Sequence, residues 1–243
     1  MKKIRIVALI LALCSLLSLT AWAEDAPAAE EPAEAETVEG PAWEIVSSGV
    51  KVWKDKAKVK RVHAWIEIRN TGDTPLFLSS ATLEILGEEE HHEQSLKSVN
   101  GFPQVLMPGE VGVYDEVTRA DSDLPTKGLT VRAELPIVPA KVECIRYEVT
   151  GFKVKTDKYK QVLGSGKIVN GTEEVTSGIL YVGAMCYNAK GKYIGILWTA
   201  LTDDINPGES LSFKTMPASW KVKAKDIGKT VVYAYPNQFQ INL

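Results

Sequence analysis

Val62-His63-Ala64-Trp65-Ile66-Glu67-Ile68-Arg69-Asn70-Thr71-Gly72 alternates strictly and then breaks into a turn. Val62, Ala64, Ile66 and Ile68 fall on one side of the chain, and His63, Trp65, Glu67 and Arg69 on the other. A period of two predicts a strand with one apolar face, and Asn-Thr-Gly supplies the turn chemistry that ends it. The close of this stretch returns later: Ile68-Arg69-Asn70-Thr71-Gly72 reappears as Ile168-Val169-Asn170-Gly171-Thr172. Working outward, Ser48-Gly49-Val50-Lys51-Val52 returns as Thr150-Gly151-Phe152-Lys153-Val154. Pro108-Gly109-Glu110 returns as Pro207-Gly208-Glu209, and Gly128-Leu129-Thr130-Val131 as Gly228-Lys229-Thr230-Val231. In chain order the offsets are 102, 100, 99 and 100. A fixed period in one order predicts two copies of a β-domain in tandem.

The ends of the chain read differently. Lys2, Lys3 and Arg5 precede the apolar run Ile6 to Leu19, and Ala21-Trp22-Ala23 places small residues where a signal peptidase reads. Residues 1–23 are therefore expected to be a signal peptide, and the apolar run is short for a stable membrane span. Residues 24–40 are rich in Ala, Pro and Glu, with seven acids and no base, and are expected to be a disordered acidic linker. The formal charge of −3 becomes −6 without the leader's three cations and +1 once the linker's seven acids are also set aside. A nearly neutral remainder argues against nucleic acid as partner.

Alternation continues through both copies. Leu129, Val131, Ala133 and Leu135 oppose Thr130, Arg132 and Glu134, while Leu211 and Phe213 oppose Ser210, Ser212 and Lys214. Turns at Asn170-Gly171, Ala189-Lys190-Gly191 and Asn206-Pro207-Gly208 punctuate the strands. Short strands over about 100 residues, each with one apolar face, predict an all-β fold of two antiparallel sandwiches. Domain 1 is placed at 41–138 and domain 2 at 141–243, with the boundary at Pro136 to Ala140 and a new strand opening at Lys141. Cys144 and Cys186 both lie in the second copy; an even count suits a bridge. Alternation instead puts Cys144 outward and Cys186 inward, which predicts two free thiols.

The second copy carries Gly164-Ser165-Gly166-Lys167-Ile168-Val169-Asn170, then Tyr187-Asn188-Ala189-Lys190-Gly191-Lys192-Tyr193-Ile194-Gly195, then Ile205-Asn206-Pro207-Gly208-Glu209-Ser210-Leu211-Ser212-Phe213. That succession resembles the FxLYD group of immunoglobulin-like domains. Cys186 stands where an aromatic residue is usual, and the first copy has Glu88-Glu89-Glu90-His91-His92 in place of the middle turn. The resemblance implies an exported bacterial protein of the envelope or extracellular space, built on immunoglobulin-like sandwiches without an established catalytic site.

Chemistry-bearing clusters are sparse. His91-His92 among Glu88, Glu89, Glu90 and Glu93 is the one with metal-ligand character, but neighbours on a strand point to opposite faces. Asp203-Asp204 and Asp121-Ser122-Asp123 read as turn acids, and no Gly-x-Ser-x-Gly elbow occurs. No catalytic residue, cofactor or metal site is expected. Of the five tryptophans after residue 23, Trp43, Trp53, Trp198 and Trp220 are expected in cores or corners. Trp65 is read as outward beside His63, Glu67 and Arg69, a candidate binding face. Lys51, Lys54, Lys56, Lys58 and Lys60, and again Lys153, Lys155, Lys158 and Lys160, mark exposed strands protected from edge pairing or a basic ribbon. The expected function is a non-catalytic exported binding or structural module whose partner is a protein or polysaccharide of the cell envelope. A carbohydrate-binding module and an inhibitor of an extracellular hydrolase or protease are the alternatives.

Overall fold

In the first half of the computed structural model, which describes residues 39–237, the alternating stretch is the second of ten strands. These are β1 (Trp43–Lys54), β2 (Lys60–Asn70), β3 (Leu76–Leu78), β4 (Ala81–Leu86), β5 (His92–Val99), β6 (Gly101–Phe102), β7 (Val105–Leu106), β8 (Val111–Arg119), β9 (Thr130–Arg132) and β10 (Ile137–Pro139). The second half adds β11 (Glu148–Thr156), β12 (Val162–Val169), β13 (Leu180–Tyr187), β14 (Tyr193–Leu201), β15 (Ser210–Lys214) and β16 (Lys229–Pro236). The expected signal peptide and nearly all of the expected acidic linker lie outside the described residues. Apart from two short 3-10 turns, Glu88–Glu90 and Ala224–Asp226, the described residues contain no helix, and none is long and apolar enough to cross a membrane.

The fold is an all-β sandwich, and every ladder is antiparallel. In the first half one sheet runs β1-β2-β8-β6 and a second β5-β4-β9; in the second half the sheets are β11-β12-β15 and β14-β13-β16. At an offset near 100 residues, β11-β12-β15 repeats the order β1-β2-β8, and β14-β13-β16 repeats β5-β4-β9. Each half has its own apolar core. Val62, Ala64, Ile66 and Ile68 meet Leu83, Ile85 and Tyr114, with Leu129, Val131, Ala133 and Leu135 packed alongside. Ile168, Leu180, Val182, Ile205 and Phe213 form the counterpart. A buried side chain of this size contributes about 2 kcal/mol, so each core has the means to hold its two sheets together.

The recurrent asparagines stitch equivalent corners. Asn70 donates through Nδ2 to the carbonyls of Thr74 and Leu106, both at 2.9 Å, and accepts from Gly72 N at 3.0 Å. Asn170 donates to Glu174 O and Ile205 O, both at 2.8 Å, and accepts from Thr172 N at 3.0 Å. Gly109 N donates to Asn70 O as Gly208 N does to Asn170 O, so both Pro-Gly-Glu turns close against the same partner. Buried backbone groups need partners, and one amide satisfies three of them at each corner.

One expectation near the boundary is corrected. Residues 136–140 pack with the first half: β10 pairs with β3, which pairs with β7, and Ala140 N donates to Pro75 O. Pro139 is tolerated because β10 is an edge strand. No strand opens at Lys141; pairing resumes at Glu148.

Candidate functional site between the two halves

Alternation along β2 sends His63, Trp65 and Glu67 away from the first core, but the side they reach is not solvent. His63 is fully buried, Glu67 is 4% exposed and Trp65 is 8% exposed. The reading of these residues as an exposed binding face is corrected. Trp65 and Val113, with Val111 and Phe102, pack on Met185, Tyr187, Tyr193, Val231 and Tyr233 of the second half. Of the four residues, Arg69 alone stays partly open, and it pairs with Glu44 at 3.1 Å.

The cause lies in β13. Leu180-Tyr181-Val182-Gly183-Ala184-Met185-Cys186-Tyr187 is almost continuously apolar, the pattern of a strand covered on both faces. Val182, Ala184 and Cys186 serve the second half's own core, while Tyr181, Gly183, Met185 and Tyr187 turn to the first half. At Gly183 the halves approach closely. A Cβ there would stand 2.2 Å from the Phe102 ring, so the missing side chain is the socket for that phenylalanine.

Several polar groups are paired across this seam, and Ser47 supports one of them from within the first half. Tyr187 Oη donates to Glu67 Oε1 at 2.7 Å, and Ser47 Oγ donates to Glu67 Oε2 at 2.7 Å. Tyr193 Oη donates to Asp115 Oδ2 at 2.7 Å, and the same oxygen lies 2.6 Å from His63 Nε2. Tyr233 Oη donates to Val111 O at 3.2 Å. Burial raises the pKa of Tyr187 and of Tyr193, reinforced by their carboxylate partners, so both remain hydrogen-bond donors. Arg146 reaches back from the second half to Glu110 at 3.0 Å and to the Val105 carbonyl, and lies over Tyr233 at 5.3 Å. Lys51 Nζ sits 5.2 Å from the Trp65 ring centroid; desolvation lowers its pKa, partly offset by Asp115.

A histidine oriented by a carboxylate is the arrangement of many general bases. Here the imidazole has no solvent exposure, and its Nδ1 meets no hydrogen-bond partner among the described residues. Through Asp115 the pair links β2, β8 and Tyr193 of the second half. His92 rests on Ser95 at 2.9 Å at the start of β5, and Asp203 and Asp204 are exposed residues between β14 and β15. Among the described residues, no group of three or more His, Cys, Asp or Glu side chains is placed to hold a metal ion. Cys144 and Cys186 are unpaired; burial pushes the Cys186 thiol up to about 12.

The seam opens at each end. One opening is a cleft of about 290 Å³ lined by Asn100, Asp115, Glu116, Tyr181, Trp198 and Tyr235, among others. Trp198 faces Gly183 across the β13–β14 ladder, on the side that meets the first half, but beyond the area that half covers. It is 43% exposed, and Trp43 is 39% exposed, which corrects the core reading of both. Tyr181 and Tyr235 continue the aromatic wall with ring centroids 5.9 Å apart. Burial raises the pKa of Glu116, with Asp115 adding to the shift and His63 opposing it. The other opening, about 750 Å³, lies between the β1–β2 and β11–β12 turns and is lined by lysines. Trp198 was legible from the pattern, because Leu197 serves the core and its neighbour must face the other way. Asn100 and Glu116 carried no local signal, since only the meeting of the halves makes them neighbours of Trp198. Compared with protein-family models and with curated proteins, the chain matches none.

Proposed function

We propose that this chain is a non-catalytic exported binding module, built by duplication of an FxLYD-like immunoglobulin-like sandwich, which receives a saccharide of the cell envelope in the cleft at Trp198. The observation that carries the reading is the exposed indole of Trp198 standing beside Tyr181, Asn100 and Glu116. An aromatic face stacks on the apolar face of a sugar ring, while a carboxylate and an amide take its hydroxyls, the mixture of apolar wall and few polar groups that ligand clefts use. Burial of the His63–Asp115 pair supports the non-catalytic part of the proposal, because the imidazole has no access to a substrate. The signal-peptide pattern and the resemblance of Gly164 to Phe213 to exported domains support the location.

Titration of indole fluorescence with soluble neutral and N-acetylated oligosaccharides tests the proposal. Binding to at least one is expected, and Trp198→Ala should weaken it by about 10-fold or more with an unchanged thermal midpoint. No binding to any of them, or binding that Trp198→Ala leaves intact, would overturn the saccharide reading.

A further inference from the structure

At the opposite end of the seam the two hairpin tips converge. Lys54, Lys56 and Arg61 come from the first, Lys160 from the second, and Lys221 from the loop before β16. These five cations face a single carboxylate in the cleft lining, Asp55. The described halves together are close to neutral in sequence, so this concentration is local. The tips are built alike. Asp55 Oδ1 accepts from Ala57 N and Val59 N, and Asp157 Oδ1 accepts from Tyr159 N and Gln161 N. Asp55 N donates to Val59 O, and Asp157 N to Gln161 O. Lys58 and Lys160 occupy the left-handed position of their turns, with φ of 62° and 61°. Such a conformation disfavours lysine and suits glycine or asparagine.

We propose that this cleft binds a linear phosphate polymer, its phosphates lying between the two hairpin tips. Charge complementarity argues for a polyanion. The kind of anion follows from which cations are free. Arg61, whose fork suits a carboxylate, is held by Asp55 at 3.0 Å. Lys54, Lys56, Lys160 and Lys221 are exposed, and no ion pair among the described residues engages them. Ammonium groups act as point charges and pair well with phosphate oxygens. The volume of about 750 Å³ admits several units of a chain, and Trp53 and Trp220 give it a firm wall. The site is separate from the Trp198 cleft and does not depend on the saccharide reading.

The test is fluorescence anisotropy with labelled linear polyphosphate, with polyglutamate as the carboxylate arm. Tight binding to polyphosphate at low salt is expected, falling steeply as salt rises. The variant Lys54→Gln, Lys56→Gln, Lys160→Asn, Lys221→Gln should lose at least about 30-fold in affinity with an unchanged thermal midpoint. The control variant Lys97→Gln, Lys127→Gln, Lys190→Gln, Lys192→Gln changes net charge equally at exposed positions away from the cleft, and should bind as the parent does. No binding at low salt, equal loss in both variants, or equal or tighter binding of polyglutamate would each overturn the proposal.

Discussion

Asn70 and Asn170 show what a single residue type decides in this fold. Each closes a corner by holding two carbonyls and one N–H of the backbone. Their recurrence was plain in the sequence because the job is local and needs an amide with both donors and an acceptor. Replacement by alanine strands buried backbone groups, at about 2–4 kcal/mol. Urea unfolding of Asn70→Ala and Asn170→Ala should show losses of that size and close to each other; a tolerated substitution at either position would break the equivalence. Trp65 and Trp198 teach the opposite lesson. Alternation gave the side of the strand that Trp65 occupies, but not what lies on that side, and Trp198 was expected in a core or corner. Trp65 meets the second half and is covered, whereas Trp198 stands past its edge.

Among the elements, the strands with one apolar face were the readable ones. β15 alternates in burial as its sequence does, and β2 turns Val62, Ala64, Ile66 and Ile68 to the first core as period two predicts, while its other side is buried as well. The strand β13 is nearly continuously apolar and is buried on both faces, a pattern that period two alone does not assign to a partner. Short pieces such as β3, β7 and β10 were not legible, since two or three residues hold no period and their pairing is set by tertiary contact. On β8, Glu116 has a testable electrostatic cost. Its folded-state pKa is raised, chiefly by burial, so the unfolded chain ionises more readily than the folded one. Its destabilisation is absent well below the ordinary value of 4.5 and grows as pH rises from there through the folded value. Glu116→Gln should therefore raise the urea midpoint at neutral pH and leave it unchanged well below 4.5. A variant that is less stable than the parent at neutral pH would contradict the sign.

At the scale of the molecule, the sequence period predicts two equivalent halves, and in the structure the two halves pack against each other. The described residues 39–237 lie in one compact unit. The seam within it buries Trp65, Val113, Met185, Tyr187 and Tyr193 around carboxylates that accept bonds from the opposite half. A seam with an apolar centre and hydrogen bonds across it favours a fixed relation between the halves over the hinge expected of small polar interfaces. That relation creates both clefts, each of which draws residues from both halves. Equilibrium urea unfolding of residues 39–243, followed by indole fluorescence and far-ultraviolet dichroism, tests this coupling most directly. One transition with coincident midpoints is expected, and Trp65→Ala should lower its stability by about 3 kcal/mol while keeping it single. Two separate transitions in the parent chain, with Trp65→Ala affecting neither, would show that the halves fold independently and that Trp65 is not their joint.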